Sequence, residues 1–399
     1  MRITELTADI VTVPMKHVIR HASHARVDSD NIIVRCRLDD GTFGVGEGVP
    51  RSYVTGETAS SAMGMFSTTT WDPIWDTRID GWTRAIELID TLPLRSSTDD
   101  PRGCQTNALR CAVELSILDA VGRRMEQPLA NVIESVPECE VIHERRDRAR
   151  YSTAITAQSA ASERKSAIKM RLYGFRQCKV KVGVEGQDDV QRLRRIRSWL
   201  GRRVDIRIDA NEAWSVDEAA ARIGELEPMS VTCVEQPIAH EAFDALPDLR
   251  RDIKTDIMLD ESLTSEVDAQ AAIDSGACDC FNIRLSKCGG YIRCLRLAAL
   301  ARASGLSFQL GCHPGETPIL SAAGRHFATS VKGIRYLEGS YDRHLLADKF
   351  ASPDITFGFG GLAPRIGRPG LGIAVDQSSL RRNSIDSITL TGTRGESTR

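Results

Sequence analysis

The second half of the chain repeats one pattern. A short apolar run ends in a polar residue, and a stretch with helical spacing follows. The runs are QCKVKVG (177–183), DIRIDANEAW (205–214), TCVEQPI (232–238), MLDES (258–262) and FNIRLSKCGG (281–290). The charged residues that close them, Lys181, Asp209, Glu235, Asp260 and Arg284, stand 28, 26, 25 and 24 positions apart. One strand, one helix and two short loops consume about that interval, so the pattern is a βα repeat. VDEAAARIGELE (216–227) and LTSEVDAQAAIDSG (263–276) are two of its helices, while LSFQLGCHPGE (306–316) and GIRYLEGS (333–340) read as a seventh and an eighth strand with their loops. In a barrel of such units the C-terminal strand ends converge on one mouth, where chemistry is built.

The first part of the chain has a different rhythm. Residues 1–14 and 31–38 carry strand-like runs, and the turn Asp39-Asp40-Gly41 then leads into TFGVGEG, which predicts antiparallel sheet. Between them, MKHVIRHASHARVDSD (15–30) holds His17, His21 and His24 without sheet periodicity. An exposed loop is expected there, or a lid over the active site; the histidine spacing matches no metal motif. Residues 105–135 show helical spacing with Pro128 near a boundary, and 138–150 read as a charged, solvated connection. Residues 356–376 are Gly- and Pro-rich and end in LGIAVD, a return to the first domain, and the polar tail from 383 to 399 is expected to be disordered.

A length of 399 residues holds a barrel of about 200–250 residues plus a second domain. A formal net charge of −2 leaves no basic field, so neither nucleic acid nor an anionic membrane is an expected partner. Eleven scattered cysteines with no Cys-x-x-Cys pair read as reduced, buried thiols, and no long apolar run follows a basic N-terminus. A cytoplasmic homo-oligomer acting on a small carboxylate substrate is expected.

Side chains alternate along a strand, so Lys179 and Lys181 share one face while Cys178, Val180 and Val182 take the other. Two ammonium groups on one inward face repel each other, which favours the neutral amine of one and suits it to act as a base. A single aspartate at a strand end is most simply a helix N-cap. Three consecutive units ending in Asp209, Glu235 and Asp260 instead converge on one mouth and would repel unless a cation sat among them. Mg²⁺ suits hard oxygen ligands, with Mn²⁺ as an alternative ion. Such an ion would let a lysine remove a proton alpha to a carboxylate, because it holds the charge that develops on the enediolate oxygens.

At these residues the chain resembles the enolase superfamily, and within it the muconate-lactonizing (muconate cycloisomerase) subgroup. GTFGVGEG, SYVTGET, Lys179-Val180-Lys181, Asp209-x-Asn211, Glu235-Gln-Pro, Asp260-Glu-Ser and GLGIAVD carry the likeness. The resemblance implies an α/β fold: a modified TIM barrel, (β/α)₇β, over 150–354, with an N-terminal α+β capping domain over 1–130 completed by about 355–382. It also implies metal on Asp209, Glu235 and Asp260, with Lys181 as acid/base and Lys179 as its partner. Loops near 16–30 and 51–57 would close over substrate, and Tyr53, Asn211 and Glu316 are the expected substrate contacts.

Two departures shape the functional expectation. The subgroup's second catalytic lysine falls at Arg284, which stays protonated and is a poor proton acceptor. His313 stands after the seventh strand, where the subgroup pattern has no histidine. The eighth-strand segment Leu337-Glu338-Gly339-Ser340 also lacks the Asp-x-Asp typical of dipeptide epimerases. A one-base cycloisomerase or lyase is therefore expected, with Arg284 steadying charge. The alternatives are a racemase or epimerase using Lys181 and His313, or a non-catalytic metal-binding homologue.

Overall fold

The first forty-eight residues fold into an antiparallel sheet of β1 (Ile3–Arg20), β2 (Ala25–Leu38) and β3 (Phe43–Gly48). The structure, a computed structural model, describes residues 1–20, 25–95, 99–156 and 159–392. The loop expected over 15–30 is corrected: β1 and β2 continue as a two-stranded arm, with Pro14 opposite Asp28 and Ile19 opposite Arg26 across a bulge. The arm is held at its base by contacts far along the chain: Met15 bridges Leu346, and the Ala347 amide donates to the Pro14 carbonyl at 2.9 Å, so local alternation does not mark it. His17 lies exposed on this arm, while His21 and His24 fall outside the described residues.

Helix Asn107–Arg124 lies directly on β3. Gly44, Gly46 and Gly48 form the face it touches, and a Cβ on Gly46 would stand 2.0 Å from the Ala112 carbonyl oxygen. Glycine at every second position is what lets helix and strand approach so closely. The expected solvated connection over 138–150 is partly structured. A 3-10 turn over Pro137–Ile142 buries Cys139 and Ile142, and β4 (Arg148–Arg150) follows it.

The βα repeat is a curled parallel sheet of eight strands in sequential order. They are β5 (Thr153–Ile155), β6 (Gln177–Lys181), β7 (Asp205–Asp209), β8 (Val231–Glu235), β9 (Asp256–Leu259), β10 (Cys280–Ile283), β11 (Ser307–Leu310) and β12 (Ile334–Leu337). Seven helices, from Ala160–Leu172 to Pro318–Ser330, fill the crossovers. The Ser152 amide donates to the Leu337 carbonyl at 2.8 Å and brings the two sheet edges together. Inside, Cys233, Met258, Cys280 and Tyr336 form a small apolar plug. Above it the interior is charged and polar, with Lys179, Arg207, Glu235, Asn282 and Gln309 all buried. All eleven cysteines are free, and ten are buried. No helix among the described residues is long and apolar enough to cross a membrane.

After the barrel the chain returns to the first sheet. β13 (Ala351–Ser352) pairs with β15 (Ala374–Val375), and β14 (Leu362–Pro364) pairs with β4. The tail expected to be disordered over 383–399 is corrected in its described part, where β16 (Ser384–Thr391) runs antiparallel to β1 with Glu5 opposite Thr391, and 393–399 fall outside the described residues. Ile388 and Leu390 are the half-buried apolar residues of this edge strand. Its other face mixes an exposed Ile385 with Ser387, Thr389 and Thr391, so no clean alternation marks it in the sequence.

One buried histidine ties the last barrel helix to the loops around it. His326 Nδ1 accepts from the Ala130 amide at 3.3 Å, and Nε2 faces the Leu371 carbonyl at 3.2 Å, so the neutral ring with its proton on Nε2 satisfies both. Burial lowers its pKa to about 4. Between about pH 4 and the unfolded value of about 6.5 the unfolded chain binds the extra proton, so this contribution is complete above 6.5 and fades as pH falls. Urea unfolding at pH 5 is expected to show His326→Gln losing about 2 kcal/mol less than wild type relative to pH 7.5. Equal losses would remove His326 from the acid sensitivity of the fold.

Candidate active site

Strand register sets the levels of the polar residues. Lys181 is paired with Asp209 and Asp209 with Glu235, so these three stand at one height. Glu235 is then paired with Met258, which leaves Asp260 two residues further toward the mouth. Met258 is paired in turn with Cys280, so Asn282 stands level with Asp260 and Arg284 lies above both. This stagger is the shear of a closing barrel.

Lys179 is the hub. Its ammonium lies 3.3 Å from Asp209 Oδ2, 3.3 Å from Glu235 Oε1 and 2.8 Å from Glu338 Oε1. Burial works against this charge, but Glu235, Glu338 and Asp209 together hold its pKa well above the ordinary lysine value. Lys179 is therefore a fixed cation, and the face it shares with Lys181 carries one permanent charge. Lys181 sits one pleat nearer the mouth, hydrogen-bonded to Asn211 Oδ1 and 3.6 Å from Asp209 Oδ2.

Asp260 is held from two sides. Lys287 donates to Asp260 Oδ1 at 2.8 Å, to its backbone oxygen at 2.6 Å and to the Asn282 carbonyl at 2.8 Å, while Arg284 Nη2 bonds Asp260 Oδ2. Arg284 Nη2 also lies 3.6 Å from Glu235 Oε1. Despite burial, Arg284 and Lys287 hold the Asp260 carboxyl below its usual range, and Lys181 and Lys179 do the same for Asp209. Glu235 differs: burial outweighs Lys179 and pushes its pKa up to about 7.

The loops beyond the strand ends are fixed by side chains. Gln236, at a left-handed φ of 39°, accepts from the amides of Asp260 and Ser262 at 3.0 and 3.1 Å and so sets where Asp260 begins. Asn211 and Glu212 take positive φ as well, and the Asn211 amide donates to Asp209 Oδ1 at 3.2 Å. Strained residues clustered at a mouth mark a constrained site. The loop after β11 is clamped by the antiparallel sheet domain. Arg51 and Asn31 donate to the carbonyls of Pro314 and Gly315 at 3.0 and 2.9 Å, and Glu47 accepts from the Thr317 amide and hydroxyl. This fixes His313, which is buried with Nδ1 3.8 Å from Glu316 Oε1. Burial raises the Glu316 carboxyl to about 8. Tyr53 lies half-buried in the turn after β3.

Sequence reasoning passed over Arg207 and Asn282, and it used Glu338 only for the motif it lacks. Arg207 shares the pleat of Asp209, donates to Glu338 Oε1 at 2.5 Å and covers the Tyr336 ring at 4.7 Å. Asn282 donates to Glu235 Oε1 at 2.8 Å. For Arg207 the signal was present as a charged residue of the same parity as Asp209 inside a buried strand.

The donor chemistry fits a hard divalent cation. Three buried carboxylates share one mouth, and Glu235 Oε2 has no hydrogen-bond partner among the described residues. They are not drawn tightly together, however. Among the described residues, only Glu212, His240 and Glu241 bring ligand atoms within 4.8 Å of one another, and that group lies partly exposed around His240. Asp209, Glu235 and Asp260 stand further apart because Asp260 is offset by the stagger and drawn onto Arg284 and Lys287.

The family model for enolase C-terminal domain-like proteins matches residues 162–379. The L-Lys-D/L-Arg epimerase of Methylococcus capsulatus is 30% identical over 94% of this chain and 99% of its own. The N-succinyl-L-Arg/Lys racemase of Bacillus cereus is 26% identical over 96% of this chain and 98% of its own. Among solved structures, the 2-chloromuconate cycloisomerase of Rhodococcus opacus matches with a TM-score of 0.83 at 26% identity, covering 97% of this chain and all of that one. Racemases and epimerases of this kind favour the alternative functional expectation over the cycloisomerase.

The hub can be tested through its third carboxylate. Glu338→Gln leaves Lys179 and Arg207 short of a buried negative partner and is expected to lower the unfolding free energy by about 3 kcal/mol. Denaturant titration reads this directly, and a change under about 0.5 kcal/mol would mean that the cluster does not depend on Glu338.

Proposed function

We propose a function from one premise: this chain belongs to the enolase superfamily. It is an enzyme of the isomerase class. The reading that its site supports best is a Mg²⁺-dependent racemase or epimerase of a small N-acylated amino acid. The observation that carries it is the pairing of a fixed ammonium, Lys179, with a second lysine one pleat nearer the mouth. Lys179 neutralises buried carboxylate charge, and Lys181 is left to exchange the substrate's α-proton. Asp209, Glu235 and Asp260 would hold the ion, with Mn²⁺ as an alternative. Once bound, it supplies positive charge to the substrate carboxylate as the proton leaves.

Inversion at the α-carbon needs a proton removed from one face and delivered to the other. Arg284 cannot accept one. His313, held in the clamped loop beside Glu316, is the titratable group proposed for the second face. Arg284 steadies the substrate's charge, while Glu316, Asn211 and Tyr53 are proposed to line the cavity. An acylated nitrogen is favoured because it brings no further ammonium to a mouth that already holds Lys179, Arg207, Arg284 and Lys287, and Glu338 Oε1 already accepts from Lys179 and Arg207. An N-succinyl amino acid racemase and a dipeptide epimerase both appear among the relatives, and both names describe substrates with an acylated nitrogen.

Proton exchange in D₂O separates the roles. With Mg²⁺ and N-succinyl or N-acetyl amino acids, NMR and polarimetry are expected to show deuterium entering Cα together with loss of optical activity. Lys181→Ala is expected to cut the rate by about 10³-fold or more, while His313→Asn loses inversion but keeps exchange from one enantiomer. Unchanged rates in Lys181→Ala would remove the proposed acid/base.

A further inference from the structure

We propose that Arg284 is a displaceable counter-cation. Its guanidinium holds Asp260 and Glu235 while no divalent ion is bound and moves to the substrate carboxylate when one binds, so that ion and substrate bind cooperatively. This rests on the metal reading above and concerns how that site is filled.

The two cations on Asp260 are not equivalent. Lys287 spends its three protons on Asp260 Oδ1, the Asp260 backbone oxygen and the Asn282 carbonyl, so it has no donor to spare. Arg284 reaches Asp260 through Nη2, and its buried Nε has no hydrogen-bond partner among the described residues. On Glu235, Lys179 and Asn282 both take Oε1 at 3.3 and 2.8 Å, while Oε2 has no partner. The oxygen open to an incoming ion is thus Glu235 Oε2, and the Asp260 oxygen becomes open only when Arg284, which lies between Asp260 Oδ2 and Glu235 Oε1, leaves it.

A lysine in that place could meet an arriving divalent ion by giving up its proton. Arginine cannot, so the like-charge repulsion is relieved only by movement. The absence of a side chain at Gly311, just past β11, is what admits the stem: a Cβ there would stand 3.1 Å from Arg284 Cγ. Once free, the planar guanidinium can bind a substrate carboxylate through two parallel hydrogen bonds. Each ligand then removes the partner that the other would have to displace, which is positive coupling by linkage.

Mn²⁺ is the probe, bound to the full chain and followed by electron paramagnetic resonance, with N-acetylglycine as the carboxylate. In wild type, saturating N-acetylglycine is expected to tighten Mn²⁺ binding about tenfold or more, and Mn²⁺ to tighten N-acetylglycine by the same factor. Arg284→Met, and Arg284→Gln as a second variant, are expected to bind Mn²⁺ alone about tenfold more tightly than wild type and to lose most of the coupling. Glu235→Gln is expected to abolish binding in either background. If Mn²⁺ binds wild type and both Arg284 variants alike, with coupling unchanged, the counter-cation is overturned while the metal site stands. If binding is absent, or indifferent to Glu235→Gln, the metal reading fails and this inference fails with it.

Discussion

The constraint that shapes this protein is the cost of gathering carboxylates in a dry barrel. Asp209, Glu235, Asp260, Glu261 and Glu338 all end at one mouth, and buried like charges cannot remain ionised without cations between them. Lys179 meets three of them at once. Arg207 supports Glu338 from below, while Lys287 and Arg284 divide the two oxygens of Asp260. The compensation is incomplete. Glu235 and Glu261 are raised by burial, and each keeps one oxygen without a partner among the described residues. A mouth left short of positive charge at those oxygens has donor chemistry that suits a divalent cation.

Position follows from register and from clamps. The stagger of the barrel lifts Asp260 above Glu235, Gln236 fixes the start of its loop, and Arg284 reaches down from one level higher. The antiparallel sheet domain contributes no charge to the hub. It holds the His313 loop in place through Arg51, Asn31 and Glu47, and the glycine face of β3 draws helix Asn107–Arg124 close behind Glu47. The proposed chemistry therefore sits between a rigid polar core and a loop pinned by the second domain.

Much of this was legible in the sequence. The interval between rungs predicts the barrel, and strand parity places Lys179 and Lys181 on one face. The roles of those lysines were harder to read, because the partners that make Lys179 a fixed cation lie on other strands. Arg207 and Glu338 are 131 positions apart, so no local pattern pairs them. The same holds for β16, whose pairing with β1 joins the two ends of the chain. The arm over 15–30 is hidden in the same way, because the groups that hold its base, around Arg343 to Ala347, lie more than 300 positions away. The cycloisomerase expectation came from what Arg284 cannot do, whereas the relatives include a racemase and an epimerase.

The central claim is that Asp209, Glu235 and Asp260 form one divalent-cation site beside Lys181. Anomalous diffraction from crystals grown with Mn²⁺ tests it most directly. The account predicts a single strong peak about 2.1 Å from an oxygen of each of the three carboxylates, with the Arg284 guanidinium no longer on Asp260. A peak at Glu212, His240 and Glu241 alone, or no peak at the barrel mouth, would contradict it.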